Sequence, residues 1–142
     1  KKELFVTSGG KNVAPHPIEI ALTQRPYIEQ ACLVGDGRKY LAALIVPDFD
    51  RLKYFAKSKK IACADPSKLM EHEEVRAAID REVQQVNATL ARYEQIKYYT
   101  LLATPFSVEG GELTPTMKLK RRIVNERFKD AIESMYKKED NA

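Results

Sequence analysis

The chain has 142 residues, 44% hydrophobic and 31% charged, which describes one globular domain long enough to bury a core. Its formal net charge of +4 admits an anionic partner but is too mild to demand one. No apolar run approaches the length of a membrane-spanning helix, and the opening KKELFVTSGG does not read as a signal peptide.

Cys32 and Cys63 stand apart from each other and from any histidine, with no CxxC spacing. They read as reduced thiols of a cytosolic protein, not as a disulfide framework or a metal site. The chain opens without methionine in β-prone residues, so it reads as a piece of something longer.

Residues 3–7 form a short β-prone run, the Ser8-Gly9-Gly10-Lys11-Asn12 segment turns it, and residues 13–15 return it, which predicts a hairpin. Pro17 suits the first turn of a short helix carrying Ile18, Ala21 and Leu22. The apolar runs 31–34 and 40–46 flank Gly35-Asp36-Gly37-Arg38-Lys39, predicting a second, buried antiparallel hairpin. Asp48 then caps a helix with Leu52, Phe55 and Ala56 on one side, and Asp65-Pro66-Ser67 repeats the cap-then-proline signal.

Val75, Ile79, Val83, Val86 and Leu90 recur at helical spacing, one apolar stripe of a long helix within residues 71–93. Glu71, Glu73 and Glu74 would lie in its first turn, where the macrodipole favours acids. Residues 96–102 return to β character. A polar loop over 109–114 leads to one final helix burying Leu119, Ile123, Val124, Phe128, Ile132 and Met135. Strands and helices mix without regular βαβ alternation. The predicted class is α+β: a central, mainly antiparallel three-stranded sheet flanked by helices, plus an N-terminal two-stranded hairpin.

Metal and nucleophile chemistry find no support. His72-Glu73-Glu74 lacks the second histidine of HExxH, His16 is far away in sequence, and nothing resembles a nucleophile elbow. Two loops remain. Ser8-Gly9-Gly10-Lys11-Asn12 can offer backbone N–H groups to an anion or admit a close neighbour, or it is simply a turn that needs a left-handed residue. In Thr114-Pro115-Thr116-Met117-Lys118 a lysine precedes a helix, against the dipole, a small cost that an anionic partner would offset. The plainer alternative is a solvated face, and for Lys120, Arg121 and Arg122 it is the stronger reading.

KKELFVTSGGKNVAPHPIE resembles the hinge-and-hairpin segment that opens the C-terminal domain of AMP-forming acyl-CoA synthetases, with Pro15-x-x-Ile18-Glu19 closing the motif. This superfamily also holds luciferases and peptide-synthetase adenylation domains. LTPTMKLKRRIV resembles the family's last motif, a glycine and lysine followed by a hydrophobic residue and an arginine, and YEQIKYYTLL between them is similar to the family as well. The likeness spans the whole chain. TPTMKLKRR and the helical stretch over 71–93 look most like the long-chain fatty-acid ligases.

The resemblance implies that residues 1–142 are the mobile, lid-like C-terminal domain of such a ligase, the large N-terminal ATP- and acyl-binding domain being absent. The full enzyme would use ATP, Mg2+ and CoA, activate a fatty acid as acyl-AMP with release of pyrophosphate, and pass the acyl group to CoA. The chain by itself would be inactive and bind none of these tightly. Lys118 matches the family lysine that reaches the carboxylate and α-phosphate during adenylation; a shifted register would give that role to Lys120. Met117 stands where the family usually has glycine. Ser8, Gly9 and Gly10 match the hairpin that swings in on the CoA side, and the hinge falls on Lys2. Implied partners are the N-terminal domain, fatty acid, ATP and CoA, without nucleic acid or a transmembrane segment, in a cytoplasmic enzyme that is free or peripheral to a membrane. Two other readings stand beside this one: an adenylation domain that loads a carrier protein, and a small basic nucleic-acid-binding module built on KLKRR.

Overall fold

The computed structural model describes residues 3–62 and 65–140. Strand β1 (Phe5–Val6) pairs antiparallel with β2 (Asn12–Val13), and the facing pair Phe5 and Val13 turns into the core. Helix α1 (Pro15–Thr23) begins at Pro15, two residues before the expected Pro17. Both prolines fit because the first turn has no intrahelical partner for its N–H groups, so a missing donor costs nothing there. The return strand is correspondingly shorter than residues 13–15.

Strands β3 (Ile28–Val34), β4 (Leu41–Pro47) and β5 (Ile96–Leu101) form the three-stranded sheet in that order. The α+β class and the separate hairpin stand as expected, but the sheet is mixed. β3 and β4 are antiparallel, joined by the glycine-containing loop, whereas β4 and β5 are parallel. The chain between β4 and β5 carries helices and crosses over to re-enter at the same end, which only a long connection permits. β4 is buried along its whole length. A strand covered on both faces gives a continuous apolar run without alternation, as LAALIV does.

Helix α2 (Phe49–Ser58) is capped by Asp48, whose Oδ1 accepts the Arg51 N–H at 3.2 Å, and α3 (Pro66–Glu71) by Asp65, whose Oδ1 accepts from Ser67 at 3.0 Å. Helix α4 (Glu73–Asn87) is shorter than the stretch 71–93. At its start His72 is extended and its Nδ1 accepts the Glu74 N–H at 3.2 Å, which leaves Glu71 in α3. At its end the buried Asn87 side chain pairs with the Ile96 N–H at 2.8 Å and the Ile96 C=O at 2.9 Å, so it stands in for a strand neighbour where β5 begins. A single 3₁₀ turn (Arg92–Glu94) lies between.

Helices cover both faces of the sheet. On one, Leu33, Leu41 and Ile45 pack with Leu22 of α1 and Val83 and Val86 of α4. On the other, Cys32, Ala42 and Leu44 pack with Val124 of α5 (Arg121–Arg127) and Ile132 and Met135 of α6 (Lys129–Asp140). Each fully buried Leu or Ile contributes about 1.5–3 kcal/mol. The expected single final helix breaks at Phe128 (φ −109°, ψ 28°), and Ile123 is only half-buried. The break turns α6 back onto the sheet, where Tyr136 stacks on Tyr40 with centroids 4.8 Å apart and donates to the Tyr40 carbonyl at 3.0 Å. Among the described residues no helix is long and apolar enough to cross a membrane.

Candidate functional site

The two ends of the sequence meet at Arg121, the first residue of α5. Its Nε donates to Glu3 Oε2 at 2.9 Å, and Nη2 donates to Glu3 Oε1 at 3.0 Å and Glu19 Oε1 at 3.1 Å. Nη1 donates to Glu19 Oε2 at 2.6 Å and to the Leu33 carbonyl at 2.9 Å. These bonds engage all five N–H donors of the guanidinium, an arrangement a lysine could not reproduce. Glu19 Oε2 also accepts the Leu33 N–H at 2.6 Å. Burial works to lower the Arg121 pKa, but the hydrogen bonds to Glu19 and Glu3 overcome it and raise the value. The bond to Arg121 in turn holds the Glu3 carboxyl below the usual range. Beside this network Cys32 is sealed in, and burial pushes its thiol up to about 12.

Three residues before Arg121 stands Lys118, at the end of a tight turn. The Thr114 N–H donates to the Lys118 C=O at 2.8 Å, the Met117 N–H to the Thr114 C=O at 2.8 Å, and the Lys118 N–H to Thr114 Oγ1 at 3.0 Å. A Leu113–Leu119 bridge closes the stem, and the Lys120 N–H donates to the Glu112 C=O at 2.7 Å. The Glu112 side chain accepts the Ser107 N–H at 3.0 Å and pairs with Arg127 of α5. Burial works to raise the Glu112 pKa, yet these partners bring it below the ordinary value. The turn is therefore held from beneath. Met117 adopts the left-handed backbone (φ 66°) with its side chain in solvent, and Lys118 is exposed. Because α5 begins only at Arg121, Lys118 lies in the turn and not in the helix, so the expected conflict with the dipole is largely avoided.

The β1–β2 loop has the same construction. The Thr7 N–H donates to the Lys11 C=O at 2.9 Å, the Gly10 N–H to the Thr7 C=O at 2.9 Å, and the Lys11 N–H to Thr7 Oγ1 at 3.0 Å. Here the left-handed residue is Gly10 (φ 83°), and a Cβ built on it would meet nothing within 4 Å. Ser8, Gly9 and Gly10 form an exposed tip, tied at its base by the Ser8 N–H to the Arg38 C=O at 2.9 Å.

A family model described as "AMP-binding enzyme C-terminal domain" matches residues 2–140. The chain belongs to that family. It is 41% identical over 140 residues to the long-chain-fatty-acid–CoA ligase FadD15 of Mycobacterium tuberculosis, covering 98% of this chain and 23% of that protein. It is 38% identical to the long-chain-fatty-acid–CoA ligase ACSBG1 of Bos taurus, covering 97% and 22%. The chain thus spans under a quarter of the curated relatives it matches. Among solved structures, the adenylation domain of a carboxylate reductase from Mycobacterium chelonae aligns with TM-score 0.74 and 28% identity, over 94% of this chain and 19% of that one. A didomain of the carboxylic acid reductase from Segniliparus rugosus, solved with AMP, aligns with TM-score 0.75 and 26% identity, over 96% and 18%.

Within this C-terminal domain the two family-like segments, PHPIE and KLKRR, are joined through Glu19 and Arg121. Arg121 was expected to coat a helix surface, and that expectation is overturned: it is 9% exposed, while Arg122 beside it faces solvent. The sequence carried no sign of this, since its carboxylate partners lie 102 and 118 residues away. Lys120 is exposed at the start of α5. Lys2, the expected hinge, and Cys63 fall outside the described residues. Among the described residues no group of three or more His, Cys, Asp or Glu gathers to hold a metal ion. Two surface grooves run along β1 and α5–α6, lined by Phe5, Asp36 and Asn125 among others, and neither includes Lys118 or the 8–10 tip.

Proposed function

We propose that this chain is the mobile C-terminal domain of an ATP-dependent, AMP-forming long-chain fatty-acid–CoA ligase, acting on substrates held by a larger N-terminal domain. In the reaction a fatty-acid carboxylate oxygen attacks the α-phosphorus of ATP and pyrophosphate leaves; a thiol then attacks the acyl carbon of the acyl-AMP and AMP leaves. Lys118 supplies fixed positive charge to the carboxylate and α-phosphate in the first step. Ser8, Gly9 and Gly10 lie against the thiol-bearing arm in the second, where the missing Cβ atoms of the two glycines leave room for it. Lys2 serves as the pivot between the two arrangements.

The observation that carries this reading is the backbone of Met117. The family usually has glycine before its adenylation lysine, and Met117 holds the left-handed conformation that glycine adopts most readily. That supports Lys118, directly after it, as the matching lysine; Lys120, two residues on, follows no such residue. Lys118 also forms no ion pair among the described residues, so its ammonium can be committed to a substrate.

A carrier-protein-loading adenylation domain is the second reading, favoured by the alignment with the two carboxylate reductase structures. The higher identity to the long-chain-fatty-acid–CoA ligases favours free CoA as acceptor. The nucleic-acid reading loses its basis, because Arg121 in the middle of KLKRR is buried and saturated by carboxylates.

The test uses the full-length enzyme with Lys118→Ala and, separately, Lys120→Ala. Acyl-adenylate formation in Lys118→Ala should fall about 10²–10³-fold, the scale of losing one preorganised charge-stabilising donor. Thioester formation from supplied acyl-adenylate should persist. Near wild-type adenylation in Lys118→Ala, with loss in Lys120→Ala, would show that the role belongs to Lys120.

A further inference from the structure

The two lysine loops share one build, and this points to a role for the lysine that the functional reading has not used. In Thr7-Ser8-Gly9-Gly10-Lys11 and Thr114-Pro115-Thr116-Met117-Lys118 the threonine N–H bonds the lysine C=O at 2.9 and 2.8 Å. The residue before each lysine bonds the threonine C=O at 2.9 and 2.8 Å, and threonine Oγ1 takes each lysine N–H at 3.0 Å. Each turn thus fixes the Cα of an exposed lysine, and neither ammonium is ion-paired among the described residues. The Lys11 ammonium rests instead over the ring of Tyr93, 5.4 Å from its centroid. A neutral ring face holds a cation without neutralising it, at about 0.5–1 kcal/mol where exposed, so an anion can still claim it.

The loops differ in what their tips carry. Pro115, Thr116 and Met117 are bulky, whereas Gly9 and Gly10 leave the backbone bare beside the small Ser8, with open space where a Gly10 Cβ would stand. A tip with two adjacent glycines admits a slender neutral chain, and a lysine directly beyond it suits a charge at the end of that chain. Pantetheine joined to a phosphate has both parts.

We propose that Lys11 binds a phosphate of the phosphopantetheine-bearing acyl acceptor, as a counterpart of Lys118 on the acceptor side. This rests on the functional reading above and adds a ligand-binding residue to it. The phosphate could belong to free CoA or to the prosthetic arm of a carrier protein, and the test separates the two.

The experiment uses the full-length enzyme, wild type and with Lys11→Ala or Lys11→Arg. Acyl-adenylate formation is measured first. Then KM and kcat for thioester formation are measured with CoA, with a phosphopantetheinylated carrier protein, and with pantetheine, which has the thiol arm but no phosphate. Loss of a charge-assisted hydrogen bond predicts that Lys11→Ala raises KM by about tenfold or more for whichever phosphorylated acceptor the wild type uses. KM for pantetheine should not change, and Lys11→Arg should restore most of the affinity. An equal loss with pantetheine, which would make Lys11 a structural part of the loop, overturns the proposal. So does an unchanged KM for the phosphorylated acceptor. Wild-type enzyme that forms no acyl-adenylate overturns the functional reading itself, and this assignment with it.

Discussion

Exchanging the left-handed residues of the two matched loops should change stability in opposite directions. Met117 pays for its conformation with a Cβ close to a carbonyl, a clash of about 1–2 kcal/mol for an L-residue. Its side chain is 64% exposed, so Met117→Gly loses little packing. Glycine has a larger unfolded-state entropy, which returns about 0.4–1 kcal/mol of the gain. The net is a stabilisation of about 0.5–1 kcal/mol from the combination of these two effects. Gly10→Ala is the mirror experiment. Its φ is 83° and a Cβ there touches nothing within 4 Å, so the cost is backbone alone and of the same size with the opposite sign. Urea unfolding of both variants and of Met117→Ala would measure this, with thermal midpoints moving about 2–4 °C per kcal/mol for a chain of this size. Met117→Ala keeps its Cβ and should stay within about 0.5 kcal/mol of the parent, as exposed substitutions do. If Met117→Gly fails to stabilise, or Gly10→Ala is neutral, the loops are not strained at these positions. The argument that assigns Lys118 from the Met117 backbone would then lose its support.

Two further outcomes follow from the carboxylate–arginine contacts. Arg121→Ala leaves Glu19 buried without its counter-charge and should cost about 3–5 kcal/mol in urea unfolding, whereas Arg122→Ala, exposed, should cost under about 0.5 kcal/mol; comparable losses for the two would refute the network. Glu3, Glu112 and Glu133 all have folded-state pKa values below the ordinary 4.5, Glu3 and Glu133 chiefly through hydrogen bonds to Arg121 and Arg38. A lowered carboxyl pKa stabilises the fold fully above the unfolded value, and that contribution is lost as pH falls from there through the folded value. Stability should therefore be flat from pH 7 down to about 5 and drop below about 4.5, and Glu133→Gln should shallow the drop; a pH-independent unfolding midpoint between 5 and 3 would contradict these contacts.

Much of the fold was legible because local signals and tertiary packing agree. β4 reads as an uninterrupted apolar run since both its faces are covered, and Asp48 and Asp65 cap helices by bonds to N–H groups two or three residues on. The α4 stripe shows its buried face through spacing alone. Where the expectation missed, the deciding partner lay far off in sequence. The long helix stops at Asn87 because that side chain bonds Ile96, and β5 runs parallel to β4 because the crossover brings it back to the same end.

The candidate site divides along the same line. Composition, the two glycine- and lysine-bearing loops and their order along the chain are properties of the sequence, because a turn is built by residues that are neighbours. Lys118 and the Ser8-Gly9-Gly10 tip could be singled out on those grounds. Which of two adjacent arginines turns inward could not. Arg121 and Arg122 have the same local chemistry, and their difference comes from Glu3 and Glu19, which only the folded chain brings within hydrogen-bonding distance. The left-handed backbone at Met117 follows from no preference of methionine itself, and only the resemblance, with glycine at that place, hinted at it. Closing the turn between Thr114 and Lys118 over the Leu113–Leu119 stem imposes it, and the fold holds that stem from beneath through Glu112 and its partner Arg127.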